Sequence, residues 1–209
     1  MNILIIGATG GTGRELTTQA LAQGHFVTAF ARNPAKVTFT KRFVVVKGDV
    51  LDYESVAQAV KGKDAVISAL GHKRWFLPSK ILSEGTRNII RAMEEHGVRR
   101  FVCETSLGMG DSVGRLGLYY TLFVIPVIVF FYFRDKGKQE ELIRKSNLDW
   151  IIVRPGQLTN GRERGTYRHR EKIGSLITTV SISRADVADF MLKQLTDDTY
   201  LRKSPGVAY

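Results

Sequence analysis

The chain has 209 residues and a net charge of +11, from 31 Lys and Arg against 20 Asp and Glu. Its one cysteine, Cys103, excludes an internal disulfide and suits a reducing cytoplasm, and a chain of this length buries enough surface to fold without staples. The charge favours anionic partners, but the basic cluster at Arg162, Arg164, Arg168, Arg170 and Lys172 is broken by Glu163 and Glu171. No nucleic-acid module accompanies that cluster, so it reads first as a solvated loop, then as an attraction to anionic membrane, and last as a nucleic-acid site.

The chain opens on a predicted strand, Asn2–Ala8, which runs into Gly7-Ala8-Thr9-Gly10-Gly11-Thr12-Gly13. A helix over Thr12–Gln23 follows and ends at Gly24. The first apolar run is cut off by Gly7 and lacks a basic flank, which argues against a signal peptide. Further strands are predicted at His25–Ala31, Phe43–Asp49, Asp64–Leu70, Arg100–Ser106 and Asp149–Arg154. Between and after them, helices are predicted at Tyr53–Lys61, about Ser79–His96, Lys136–Lys145 and Arg184–Leu195, the last capped by Ser183. A turn falls at Asn33-Pro34. Strands that are apolar on both faces and alternate with helices imply a parallel sheet covered on both sides. The predicted fold is therefore a doubly wound α/β Rossmann architecture in three layers, one domain over 1–209. Residues 156–183 look irregular and are expected to form a small cap on the substrate side.

In such a sheet, ligands lie beyond the carboxyl ends of the strands. The spacing Gly7-x-x-Gly10-x-x-Gly13 lets backbone N–H groups approach a pyrophosphate at a helix N-terminus. A glycine turn that binds nothing is the plainer alternative, but the strand before and the helix after favour the nucleotide. The second strand ends at Arg32, with Lys36 four residues on, where an acid would accept from the ribose hydroxyl of NAD. Two cations there suit a 2′-phosphate, so NADP(H) is the expected cofactor. Asp49 is placed to accept from the adenine amino group, or to cap the next turn, while Val50 packs on the ring. Ala69, Leu70 and Gly71 give a small strand end along the ribose. His72, Lys73 and Arg74 follow; His72 has no visible partner and is read as a loop residue. No metal ligand set is expected.

Thr105-Ser106 ends the fifth strand, where a hydroxyl could hold a substrate carbonyl. Tyr132 and Lys136 are four residues apart and share a helical face. A lysine ammonium beside a phenol favours the phenolate, which makes the phenol usable in proton transfer. The bland counterpart is a tyrosine packed on the core at a helix start and a solvated lysine; the two readings stand level.

The loop Gly7–Gly13, Gly48-Asp49-Val50, Thr105-Ser106, Tyr132-x-x-x-Lys136, Arg154-Pro155-Gly156 and Ser183-Arg184-Ala185-Asp186-Val187-Ala188 together resemble an atypical short-chain dehydrogenase/reductase. The similarity is to the NAD(P)H-binding, NmrA-like and flavin/biliverdin reductase B-like proteins, which Ser83-Glu84-Gly85-Thr86-Arg87-Asn88 also resembles. It covers nearly the whole chain. The resemblance implies an NADP-type site at Gly7, Thr9, Gly10, Thr12, Gly13, Arg32, Asp49, Val50, Leu70 and Gly71, with Pro155 bordering the nicotinamide. Ser106 and Tyr132 stand about twice as far apart as in typical members, which puts Tyr132 in doubt as proton donor. In flavin reductase-like relatives the acceptor stacks on the nicotinamide and solvent supplies the proton.

Leu116–Phe133 carries no charge over 18 positions, long enough for a membrane span. A single crossing would leave neighbouring strands of one sheet on opposite sides of a bilayer, and Pro126 interrupts the middle. Three readings remain: a buried pair of lid helices lining an apolar pocket, which is the plainest; a homodimer contact; or a peripheral dip into a membrane interface. An apolar wall beside Ser106 favours a flavin, quinone or lipophilic carbonyl as acceptor. The expected function is a cytoplasmic NADPH-dependent reductase. Its rival is a non-catalytic NADP(H)-binding sensor or assembly protein; a sugar-nucleotide epimerase is disfavoured by the missing acid on the second strand.

Overall fold

The computed structural model describes residues 1–33, 42–72 and 76–209. Six parallel strands form the frame: β1 (Asn2–Ile6), β2 (Phe26–Ala31), β3 (Phe43–Lys47), β4 (Ala65–Ser68), β5 (Arg100–Glu104) and β6 (Asp149–Pro155). Their order in the sheet is β3-β2-β1-β4-β5-β6, so the winding reverses between β1 and β4. That reversal leaves a crevice at the carboxyl ends of these two strands.

Strand periodicity explains the three layers. Ile3 and Ile5 of β1 join one buried cluster, and Leu4 and Ile6 join the other. The first cluster takes Leu16 and Ala20 from α1 (Gly11–Ala22) and Val187, Phe190 and Met191 from α5 (Arg184–Lys193). The second takes Val56 from α2 (Tyr53–Val60), Ile89 and Met93 from α3 (Ile81–Glu95) and Ile143 from α4 (Phe130–Lys145). Ser183 caps α5, accepting from the Asp186 N–H at 3.0 Å. Cys103 on β5 is buried, and burial pushes its thiol up to about 12.

The region 156–183 is more ordered than its composition suggests. Three short strands lie within it, β7 (Gln157–Thr159), β8 (Arg168–Arg170) and β9 (Ser181–Ser183). β7 and β9 pair in parallel as a small separate sheet. β10 (Gly206–Ala208) extends the main sheet parallel to β6 and then pairs antiparallel with β8.

The apolar insertion departs most from expectation. Residues Tyr120–Ile128 wind as a π-helix, with the Val129 N–H reaching the Val124 carbonyl at 3.0 Å, and none of the nine residues is buried. The buried-lid reading is therefore corrected: the helix touches the body along one side only. Ile125 reaches towards Gly108, and Tyr120 packs beside Leu107, Leu116, Ile173 and Ala208. A helix that is apolar around its whole circumference cannot turn every side inwards from the edge of a sheet. Among the described residues no helix is long and apolar enough to cross a membrane.

A buried arginine clamps both roots of this insertion. Arg154 is 1% exposed. Its guanidinium donates to Glu140 on α4 at 3.0 and 2.6 Å and to Asp111, on the incoming limb, at 2.5 Å. Two carboxylates and a planar fork satisfy one another there, which is what a buried charge requires.

Candidate functional site

The crevice at the β1/β4 reversal holds a cleft lined by Gly7, Thr9, Arg32, Asp49, Val50, Leu70 and Gly71, together with Ile6, Phe30, Ala31, Gly48, Leu51 and Ile81. The first seven, each singled out from the sequence, thus face one space. Lys36 lies outside the described residues, as do Lys73 and Arg74.

The glycines at the two ends of the loop are dictated by packing. Gly7 has φ +84°, and a side chain there would lie 2.4 Å from the Ala69 carbonyl oxygen. A Cβ on Gly13 would stand 2.1 Å from the Gly7 oxygen and 2.7 Å from the Ala8 Cα. These contacts press α1 against β1 and aim its first turn at the crevice. Gly10 is the N-cap, no side chain caps the helix, and its first turn holds no acid. Its leading N–H groups are thus left for an anion, and the partial positive charge favours one.

Arg184, at the start of α5, lies across this loop. Its Cδ and Nε would both be 2.5 Å from a Cβ on Gly11, and its Nη1 donates to the Asn160 side chain at 2.6 Å. Beneath the loop, Thr12 donates to the buried Glu104 at 3.0 Å. Burial raises the Glu104 carboxyl above its usual range, against the opposing pull of Lys136, Thr12 and Arg184. Nothing local in the sequence pairs residue 184 with 11, or 104 with 12.

At the Arg32 end of the cleft, Asp49 has a structural duty. Its Oδ1 accepts the Leu51 N–H at 3.0 Å, so it caps the turn, one of the two roles open to it from the sequence. Val50 is buried against Gly85, and the Asn88 amide donates to its carbonyl at 2.9 Å. Ala69 is tied to β1 by its N–H on the Ile6 carbonyl at 2.9 Å.

Next to Gly71, α4 starts at Phe130, six residues before the Lys136 start that the sequence pattern predicts, and carries Tyr132 in its first turn. The Tyr132 hydroxyl lies 3.4 Å from where a Cβ on Gly71 would sit, and its ring meets the His72 ring edge-on at 4.9 Å between centroids. Lys136 is not the solvated lysine of the bland reading. It is buried, donates to the Thr105 carbonyl at 2.9 Å, and stands 5.2 Å from the centre of the Tyr132 ring. The neighbouring Asp135 turns away, accepting from the Leu82 N–H at 2.9 Å and the Ser83 hydroxyl at 2.5 Å, and so caps α3 from another helix. Thr105 donates to Glu140 at 2.7 Å. Ser106 is half-buried between Thr105 and Leu107, and the Leu107 N–H bonds the carbonyl of Pro155 at 3.0 Å. The long spacing from Ser106 to Tyr132 is taken up by the protruding insertion, after which the chain returns to the strand ends.

His72 has neither ring nitrogen in a hydrogen bond, and burial lowers its imidazole below the usual range, with Asp135 opposing and Lys136 reinforcing.

A family model described as NAD(P)H-binding matches residues 7–198. An uncharacterized chloroplastic protein of Arabidopsis thaliana is 30% identical over 210 residues, which is 94% of this chain and 72% of that protein. A photosystem II assembly factor of Synechocystis sp. is 33% identical over 215 residues, covering 98% of this chain, while this chain spans 61% of that protein's length. Among solved structures, ChuY, an anaerobillin reductase from Escherichia coli O157:H7, superposes with a TM-score of 0.83 at 26% identity, over 100% of this chain and 97% of its own.

Proposed function

Because the chain belongs to the NAD(P)H-binding family of Rossmann-fold, oxidoreductase-type proteins, we propose that it is an NADPH-dependent reductase acting on an apolar or flat aromatic acceptor. The observation that carries this reading is the cleft that runs from Arg32 past the glycine loop to Gly71, with the uncapped α1 N-terminus beside it and the Tyr132 hydroxyl, backed by Lys136, next to Gly71. NADPH supplies a hydride from its nicotinamide ring when bound. The chain's own residues divide the remaining work. Arg32, with Lys36, grips the 2′-phosphate. The first turn of α1 receives the pyrophosphate, and Arg184 adds a cation from above. Ser106 holds and polarises the acceptor, with Pro155 closing the nicotinamide side. Tyr132 delivers a proton from its hydroxyl, and Lys136 fixes the geometry by bridging the ring to the Thr105 carbonyl.

The test is loss of NADPH absorbance with purified protein and a panel of flavins, quinones and lipophilic carbonyls. Arg32→Glu is expected to weaken NADPH binding by about tenfold or more while sparing NADH, since a charge-assisted hydrogen bond is worth roughly 1.5–3 kcal/mol. Tyr132→Phe is expected to lower turnover without changing NADPH affinity. The photosystem II assembly relative favours one second reading, a nucleotide-binding assembly protein. Tight NADPH binding with no oxidation by any acceptor would select it.

A further inference from the structure

The apolar insertion is joined on the surface by a second, distant stretch of chain. The Leu118 N–H donates to the Ile177 carbonyl at 3.2 Å, and the Ser175 N–H donates to the Arg115 carbonyl at 2.9 Å. These bonds set Ile177 beside Leu118, where the chain leads into the π-helix that carries the exposed Phe123 and Val127. Val127 is 73% exposed and Ile177 is 79% exposed. Scattered exposed apolar side chains are ordinary, but two segments converging on one apolar knob are not.

Within the two segments that form the knob every charge is basic, and the exposed acids just outside them are paired, Asp111 with Arg154 and Glu171 with Lys203. Residues 112–134 and 172–185 contain no Asp or Glu, and Arg115, Arg134 and Lys172 stand at their ends. The next strand back, β8, adds exposed Arg168 and Arg170. Tyr119 and Tyr120 sit at the start of the π-helix, amphipathic rings of the kind that settle at the level of lipid headgroups. A second copy of the chain would cover the apolar side chains but would bring a second +11 charge against the first. A bilayer surface rich in anionic lipid answers both features, taking the apolar tip into the acyl boundary and pairing the flanking cations with headgroups. We propose that the knob formed by residues 118–131 and 176–177 docks the protein peripherally on anionic membrane. The inference rests on this surface alone and stands whether or not the crevice catalyses a reduction.

The full chain is to be co-sedimented with vesicles of phosphatidylcholine plus phosphatidylglycerol and with vesicles of phosphatidylcholine alone. Binding is expected to the anionic vesicles and to weaken as salt is raised. The double variant F123E/V127E is expected to reduce that binding by about tenfold or more, because each apolar side chain withdrawn from the acyl region forfeits a transfer energy of that order. I177E, on the other segment, is expected to weaken it in the same direction. Unchanged NADPH affinity and thermal midpoint in these variants would show that their fold is intact. Absence of vesicle binding, equal binding by the variants, equal binding to neutral vesicles, or a concentration-dependent dimer that F123E/V127E dissociates would each overturn the proposal.

Discussion

The glycine loop at 7–13 and the π-helix at 120–128 are built on opposite terms. In the loop, backbone packs on backbone so closely that no side chain fits at Gly7 or Gly13. In the π-helix no residue is buried, and the segment is anchored through its roots, where Arg154 ties Asp111 to Glu140. The lesson is that hydropathy alone does not tell inside from outside. The most apolar stretch of the chain lies on the surface, while a loop made largely of glycine and threonine keeps Ala8, Thr12 and Gly13 buried.

Glu140→Ala tests the clamp at the roots and carries the largest expected effect. It leaves the buried Arg154 guanidinium with Asp111 as its one carboxylate and the Thr105 hydroxyl without its acceptor, and is expected to cost about 3–5 kcal/mol in denaturant unfolding. A loss under about 1 kcal/mol would mean that the insertion does not depend on that clamp. Gly13→Val tests the enclosure of the loop. The added side chain drives into the Gly7 oxygen, so a loss of about 1–3 kcal/mol is expected together with weakened NADPH binding; wild-type stability would show that the loop has slack.

Acid stability sharpens the comparison at Asp186, which holds the cap strands beside the loop. Burial works to raise its carboxyl, but the bonds from Tyr209, the Gly165 and Arg164 N–H groups and Ser183 outweigh it and hold it below the ordinary range. A carboxyl depressed in the folded state contributes stability above its unfolded value of about 3.9, and that contribution is lost as pH falls through the folded value. Asp186→Asn is therefore expected to be less stable at neutral pH by roughly 1.5–3 kcal/mol and to show a flatter decline below about pH 4. An unchanged acid limb would assign that decline to other carboxylates. The smallest effect belongs to Val127→Ala, expected to stay within about 0.5 kcal/mol of wild type because the side chain has little to lose. A larger cost would reveal contacts on a face that the structure leaves open.

The parallel sheet and its covering helices are legible because each element carries its own period. Alternation within Ile3-Leu4-Ile5-Ile6 feeds two clusters, and Gly24 and Ser183 punctuate the helices beside them. The first turn of α4 is hidden, since an unbroken apolar run has no polar side to mark a helical face. Pro126 suggests a break; the wider π-helical turn instead carries the chain past a residue that has no N–H to give. β8 leaves no mark because Arg168, His169 and Arg170 have no apolar alternate, and β10 is only three residues long. Within the crevice, Arg32, Asp49 and Gly71 can be placed from strand ends alone. Arg184 over Gly11, Thr12 on Glu104 and Arg154 on Glu140 join residues far apart in sequence, where a single chain offers no signal.

The sealed thiol of Cys103 makes the molecule a convenient host for probes. A sulfhydryl held that far from ionisation, with no path to bulk water, will ignore maleimides and iodoacetamides under native conditions. A cysteine introduced at an exposed position such as Val127 would then be the sole reactive thiol, so a single fluorophore could report on that tip without any background mutation.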